Sequence, residues 1–260
     1  MHGIKTNLRR EKIIELLEQT GEVNVVQLAM LFDVSQVTIR SDLNEMAEAN
    51  LLKRVHSGAI SIKTAGKAYY EATFNERMNI NKLEKIKIAK ACASLINDGD
   101  TIIIDSGTTA LYLAKELSLR SNLTIVTNAM LVAQELLYNR SVKVILLGGD
   151  VDYYHQFTYG NDTITQLHRY RADKFILSTD GIDVKCGLTT YHHLEAEVSR
   201  SMMDRVNQVI AIADHSKIGR EGFAYIAPIA KVNLIITDVQ AHKSSELEKI
   251  KQEKIEVIAV

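Results

Sequence analysis

The sequence predicts a small winged helix-turn-helix domain over residues 1–62, a linker over 63–83 and an α/β domain with a mostly parallel sheet over 84–260. Three observations carry this expectation. Within the first sixty residues, short amphipathic helical stripes flank a three-residue turn and run into an alternating hairpin pattern. Beyond residue 84, seven apolar runs recur, several of them separated by helical stretches, which is the alternation of a parallel sheet covered by helices. Finally, 260 residues at 46% hydrophobic and 24% charged content hold enough interior for a small domain plus a medium one.

Taking the elements in order, Leu8 to Thr20 places Ile13, Leu16 and Leu17 at helical spacing, and Gly21 stops the helix. After GEVN, the stretch VVQLAMLF puts Val25, Leu28, Ala29 and Phe32 on one face. Asp33-Val34-Ser35 then makes a tight turn, with Ser35 as N-cap of a third helix. That helix, from Gln36 to about Ala49, has Ile39, Leu43 and Met46 as its buried stripe, so Val37, Ser41 and Asn44 point the other way.

A second helix that presents small polar side chains near its start, after a three-residue turn, suits insertion into the major groove of double-stranded DNA. LLKRVHSGAISI follows as a wing, a hairpin turning at His56-Ser57-Gly58. Arg9, Arg10 and Lys12 at the front of the first helix, with Lys53, Arg54 and Lys63 on the wing, are the expected phosphate contacts. Val37, Thr38, Arg40, Ser41 and Asn44 are the expected base-edge and thymine-methyl contacts, and Ser35 and His56 complete the DNA-facing set. The net charge of −1 means that any such contact rests on this local cluster and not on overall charge.

No stretch approaches the roughly 18 consecutive apolar residues that a membrane span needs, and MHGIKTNLRREKII lacks the apolar core and cleavage site of a secretory leader. Cys92 and Cys186 stand far apart and in no metal-like spacing. A cytoplasmic protein with no membrane partner, no cofactor and no metal is expected. The adjacent His192 and His193 would point about 100° apart on a helix and could not easily share an ion.

In the second domain the apolar runs are TIIID, LTIVT, VKVILL, DKFILS, QVIAIA, VNLIIT and IEVIAV, and the helical stretches are ALYLAKEL, AMLVAQELL, DTITQLHRY, EAEVSRSMM and SSELEKIKQ. Parallel sheets bind ligands beyond the carboxyl ends of their strands. The residues there are Asp105-Ser106-Gly107-Thr108-Thr109, Thr127-Asn128, Gly148-Gly149, Thr179-Asp180-Gly181 and Asp214-His215-Ser216-Lys217. Such a rim suits a phosphorylated polyol. The amides and dipole of the helix starting at 108, the Thr108 and Thr109 hydroxyls, the close approach allowed by Gly107 and the Lys217 charge favour an anion. Asp105 and Asp180 are expected to accept from sugar hydroxyls. Tyr153, Tyr154, His155 and Tyr159 lie in a long loop that is either a lid over this rim or a packed surface loop.

The wording of both halves resembles the DeoR family of bacterial regulators of sugar metabolism. In VSQVTIRSDLNEMAEANLLKRVHSGA, residues Ser35, Thr38, Ile39, Arg40, Asp42, Leu43, Arg54, His56, Gly58 and Ala59 match the family pattern. Ser41, Asn50 and Ser57 depart from it, where the family usually has arginine, glycine and glycine. Further on, D-x-GTT, TN, LGG, DGI-x-x-x-x-GLT and D-x-SK-x-G occur in the order of the family's C-terminal sensor domain. The resemblance implies a fold similar to ribose-5-phosphate isomerase and a repressor of a carbohydrate-utilisation operon. It also implies release from the operator by a phosphorylated sugar. A single helix-turn-helix reads only a short half-site and a near-neutral one holds DNA weakly alone, so a homo-oligomer on repeated or palindromic sites is expected.

The alternative is a sugar-phosphate isomerase with an appended DNA-binding domain, using Asp180, Asp183 and Lys185 as its acid–base set. Isomerisation needs a base beside a carbonyl and a group that polarises it, each within hydrogen-bond reach. The isomerases carry DGADE followed by a KGGG-like turn, whereas DGIDVKCGLTT lacks the second acid and the glycine run. Sensing without catalysis is the expectation.

Overall fold

The computed structural model describes residues 2–20, 22–49, 51–55, 58–61 and 74–260. The chain divides into two compact units, Met1–Ala72 and Thr73–Val260. In the first, helices α1 (His2–Thr20), α2 (Val25–Leu31) and α3 (Gln36–Glu48) pack with strands β1 (Glu22–Asn24), β2 (Leu52–Val55) and β3 (Gly58–Ser61). Ile13, Leu17, Val25, Leu28, Ile39, Leu43, Met46, Leu52 and Ala59 form its core, each at most 3% exposed. Full burial of such aliphatic side chains is worth about 1.5–3 kcal/mol apiece and is what holds a domain this small together.

The local chemistry follows from the sequence. Ser35 Oγ accepts from the Thr38 amide at 3.1 Å and starts α3; Asn24 Oδ1 accepts from the Val26 amide at 2.8 Å and starts α2. Asp33 makes the turn between them at φ 50°. Helix α1 begins at His2 and not at Leu8; no proline precedes Leu8, and Gly3 costs only about 1 kcal/mol.

The wing is present as β2 paired antiparallel with β3, Val55 opposite Gly58; its turn residues His56 and Ser57, and Lys63, lie outside the described residues. A third strand joins it, β1, in the segment GEVN that alternation alone leaves as a connector. Gly58 is a strand residue for this reason: a Cβ on it would overlap the Val23 carbonyl of β1.

In the second unit, the seven apolar runs become the seven strands of one parallel sheet among the described residues. These are β4 (Thr101–Ile104), β5 (Leu123–Thr127), β6 (Val142–Leu146), β9 (Ala172–Ser178), β12 (Val206–Ile212), β14 (Leu234–Thr237) and β15 (Glu256–Ala259), in the order β15-β14-β12-β9-β4-β5-β6. Alternate residues serve opposite faces. Ile102, Ile104, Ile125, Ile176, Ile210, Ile212 and Ile236 pack with α5 (Lys82–Ser94), α6 (Thr108–Leu117) and α7 (Met130–Leu136). Ile103, Val126, Phe175, Leu177, Val209, Ala211 and Ile235 pack with residues of α8 (Asn161–Leu167), α9 (His193–Met203) and α10 (Ser245–Gln252). Burial on both faces explains why these strands are continuous apolar runs.

Smaller pieces decorate this frame: an antiparallel hairpin of β7 (Asp150–Asp152) and β8 (Phe157–Tyr159), and an antiparallel sheet of β10 (Gly181–Asp183), β11 (Gly187–Thr190) and β13 (Ala224–Ala227). Residues 74–83, expected as the end of the linker, instead form α4 (Phe74–Asn79) and the start of α5. Phe74 is buried and the Tyr112 hydroxyl donates to the Met78 carbonyl at 3.2 Å. No described helix is long and apolar enough to cross a membrane.

Candidate functional site

The chain runs outward from β4 through β5 to β6, then returns to the other side of β4 as β9 and continues to β15. The reversal lies between β4 and β9, where doubly wound sheets open a crevice beyond the strand ends. Asp105, 2% exposed, closes this seam: its two carboxylate oxygens accept from the Ser178 amide at 2.9 and 3.1 Å. Gly107 follows at φ 139°, where a Cβ would stand 2.7 Å from the Ser178 side chain. Only glycine fits, and it delivers the chain into α6 with no side chain capping the first amides.

Around this helix start lies a hydrogen-bonded chain from Ser106 to Lys217, with two smaller groups, at Asp214 and at Lys85, that couple to it by charge. Ser106 Oγ donates to Glu195 Oε1 at 2.6 Å. Thr190 Oγ1 lies 2.5 Å from Glu195 Oε2 and 3.1 Å from Asp180 Oδ2, so one hydroxyl proton stands between two carboxyl groups. Lys217 Nζ donates to Asp180 Oδ1 at 2.9 Å. Asp214 accepts from Ser216 and from Asn81 Nδ2, the latter at 2.8 Å. Lys85, 4% exposed, donates from Nζ to the Arg77 carbonyl at 2.5 Å.

The electrostatics are those of a crowded, poorly hydrated site. Burial, aided by the Glu195 charge, holds the Asp105 carboxyl well above the ordinary carboxylate range. Burial and the nearby Asp180 raise Glu195 as well. For Asp214, burial is outweighed by hydrogen bonds from Ser216 and Asn81 and by the Lys217 and Lys85 charges, so it stays anionic to lower pH than usual. Burial pulls the Lys85 ammonium down to about 8, against the opposing attraction of Asp214.

Other expected rim residues have different partners. Thr127 Oγ1 caps the Ala129 amide at 3.0 Å, and Asn128 Nδ2 donates to the Thr158 carbonyl of β8 at 2.9 Å. The Gly148 amide donates to Gln166, and a Cβ on Gly149 would collide with Thr163 of α8. Asn128, Gly148 and Gly149 thus seat the β7–β8 hairpin and α8 on the sheet, while Thr127 shapes the entry to α7. Gly181 packs against the Arg220 carbonyl and Thr189, where no Cβ would fit. Asp183 caps the β10–β11 turn through the Lys185 and Cys186 amides, and Lys185 is exposed, so the acid–base set imagined for an isomerase does not assemble. Tyr153 and Tyr154 are 86% and 75% exposed.

In the first unit, α3 presents Val37, Arg40, Ser41 and Asn44 to solvent, with Ser35 exposed before it and Thr38 half-buried. Asn44 Oδ1 accepts from Arg54 Nε of β2 at 2.8 Å, which ties the helix to the wing. Ser41 Oγ donates to Glu45 at 3.3 Å. Arg9 and Arg10, expected at DNA phosphates, point elsewhere: their Nε atoms donate to the two oxygens of the buried Asp42 at 2.6 and 2.9 Å, and Arg10 also reaches Glu45 at 2.7 Å. Lys12 is exposed and pairs with Glu15. Lys53 lies in β2, and His56 lies outside the described residues.

Comparison with known proteins decides what this pair of units is. Residues 9–65 match the DeoR-like helix-turn-helix domain and residues 80–239 match the DeoR C-terminal sensor domain. The HTH-type transcriptional regulator GolR of Listeria innocua is 38% identical, covering 91% of this chain and 92% of that one. The chain belongs to the DeoR family. The HTH-type transcriptional repressor GlcR of Bacillus subtilis is 35% identical over 87% of this chain and 86% of its own, and the glycerol-3-phosphate regulon repressor of Escherichia coli is 34% identical over 90% and 92%. This DeoR protein is a transcriptional regulator, as those relatives are named. Among solved structures, ribose 5-phosphate isomerase A of Methanocaldococcus jannaschii is similar with a TM-score of 0.40 and 17% identity, covering 53% of this chain and 54% of that one.

Four members of the DeoR rim escape sequence reasoning: Glu195, Thr190, Lys85 and Asn81. Glu195 stands in the first turn of a helix after a strand, where an acid is ordinary. Lys85 sits in a lysine-dense helix whose buried side is read only from tertiary packing.

Proposed function

We propose that this DeoR-family regulator is a repressor of a carbohydrate-utilisation operon, and that a phosphorylated sugar or polyol at the β4/β9 rim releases it from its operator. The observation that carries this is the start of α6, which no side chain caps, beside the hydrogen-bonded chain from Ser106 through Glu195, Thr190 and Asp180 to Lys217, with the buried Lys85 ammonium in electrostatic contact with Asp180 and Lys217. Free amides, a helix dipole and two ammonium groups favour a phosphate dianion. Carboxyl groups sharing a hydroxyl proton favour exchange of that hydroxyl for one on the ligand. Asp180 and Glu195 take the role of hydroxyl acceptors in place of Asp105, whose oxygens are engaged by β9. The glycerol-3-phosphate regulon named for the Escherichia coli relative supports a small phosphorylated polyol or sugar as the ligand class.

On the DNA side, Val37, Thr38, Arg40, Ser41 and Asn44 read bases, while Lys12, Lys53, Arg54 and His56 meet phosphates and Ser35 fixes the start of the reading helix. Arg9 and Arg10 position α3 through Asp42. One reading helix spans a short half-site, so a homo-oligomer on paired half-sites is the acting form. The test is fluorescence anisotropy on DNA from upstream of the protein's own operon, with a panel of phosphorylated hexoses, pentoses and glycerol. We expect a salt-sensitive specific complex, weakened about tenfold or more by Arg40→Ala and dissociated by one panel member. Absence of a specific complex overturns the operator reading; a complex indifferent to the whole panel overturns the effector reading.

A further inference from the structure

The β7–β8 hairpin carries a second cluster that the rim does not use. Asp152, His155 and His192 each offer one ligand atom, and these atoms all lie within 4.8 Å of one another. Asp152 closes β7 and its Oδ1 organises the turn, accepting from the Tyr154 and His155 amides at 3.0 and 2.7 Å. The same oxygen stands 3.0 Å from His155 Nδ1. The His155 and His192 rings approach to 4.0 Å between centroids, tilted by 56°, and both rest on the buried Phe157 ring. All three residues are half-buried, and His192 comes from a segment almost forty positions along the chain. The partner of His192 is therefore His155 and not its neighbour His193.

We propose that Asp152, His155 and His192 bind one divalent transition-metal ion of the zinc class. Two imidazoles and one carboxylate suit zinc, cobalt or nickel and disfavour magnesium and calcium, which prefer all-oxygen sets. With metal–ligand bonds of about 2.0–2.1 Å, ligand atoms around a tetrahedral ion sit about 3.3 Å apart. The Asp152–His155 separation is already close to that edge. Side-chain rotation of roughly 1–2 Å brings in the third atom, and a fourth position is left for water or a ligand oxygen. Such an ion would tether the hairpin to the residue that opens α9, three positions before Glu195 of the rim, and so fix the helix that carries Glu195.

The experiment uses the full chain, stripped with a chelator and titrated with Zn²⁺ by calorimetry and with Co²⁺ by visible absorption. We expect one equivalent per chain, a tetrahedral Co²⁺ spectrum without a thiolate band, and affinity lowered on the order of tenfold or more by His155→Gln or His192→Gln. Cys186→Ser should leave binding unchanged. Because the histidines pack on Phe157, a variant that fails to fold is covered by a second measurement on the unaltered chain. Zn²⁺ should protect His155 and His192 from diethyl pyrocarbonate, mapped by mass spectrometry. Binding no tighter than in the His155→Gln or His192→Gln chain, a thiolate signature, or unprotected His155 and His192 would each overturn the site. None of these readouts depends on DNA or on a sugar phosphate.

Discussion

Lys85 is a charge held where water scarcely reaches it, so if the rim takes a phosphate as proposed, this residue should report it. With its ammonium at about 8, a phosphate bound beside it should raise that value, so that binding would take up a proton at pH above 8. The affinity for the anion should therefore fall as pH rises beyond about 8, by up to tenfold per unit. Lys85→Met should bind about tenfold more weakly at neutral pH and lose this slope; calorimetry across the range measures both. Glu195 gives the opposite kind of signal. Its carboxyl and that of Asp105 are raised, so the folded chain holds protons that the unfolded chain releases, and stability falls as pH climbs from the ordinary carboxylate range through the raised values. Glu195→Gln should flatten that fall in melting temperature, and an unchanged slope would show that Glu195 does not titrate there. Neither residue is legible in the sequence. Asp105, Gly107 and Lys217 are, because they sit in strand-end motifs; what a buried side chain faces is set by elements distant in sequence.

At the level of elements, α3 is held from behind by α1. Asp42, 3% exposed, accepts from both Arg9 and Arg10. Removing one partner of a buried ion pair leaves uncompensated charge, at a cost of roughly 3 kcal/mol. Asp42→Ala should therefore lower the melting of the first unit and weaken operator binding while leaving effector binding to the second unit intact; equal operator affinity would mean that α3 holds its pose without the clamp. Hydrophobic periodicity foresaw α2, α3 and the seven strands because burial dictates period. It passed over β1, β7, β8, β10 and β11, which are three or four residues long, and α5, whose buried face is made largely of small residues, Ala89, Cys92 and Ala93, beside Ile88. The phosphate-contact role expected for Arg9 and Arg10 had no such protection: a basic residue near a helix start reads alike whether it faces DNA or an aspartate.

For the whole molecule, one regulator with two binding units obeys reciprocity. If the effector lowers operator affinity by some factor, operator DNA must lower effector affinity by the same factor. Calorimetric titration of the effector with and without saturating operator should return that factor, and unequal factors would mean that the two ligands are not linked through one equilibrium. Such a linkage would first be felt where the second unit begins. Helix α4 and the residue before α5 follow directly on the segment leading back to the first unit, and they are themselves part of the rim: the Arg77 carbonyl holds Lys85 and Asn81 holds Asp214. Under the proposed function, a phosphate that draws the Lys85 ammonium away from that carbonyl should release the last turn of α4, so the helix that opens the second unit is the first part expected to answer the ligand.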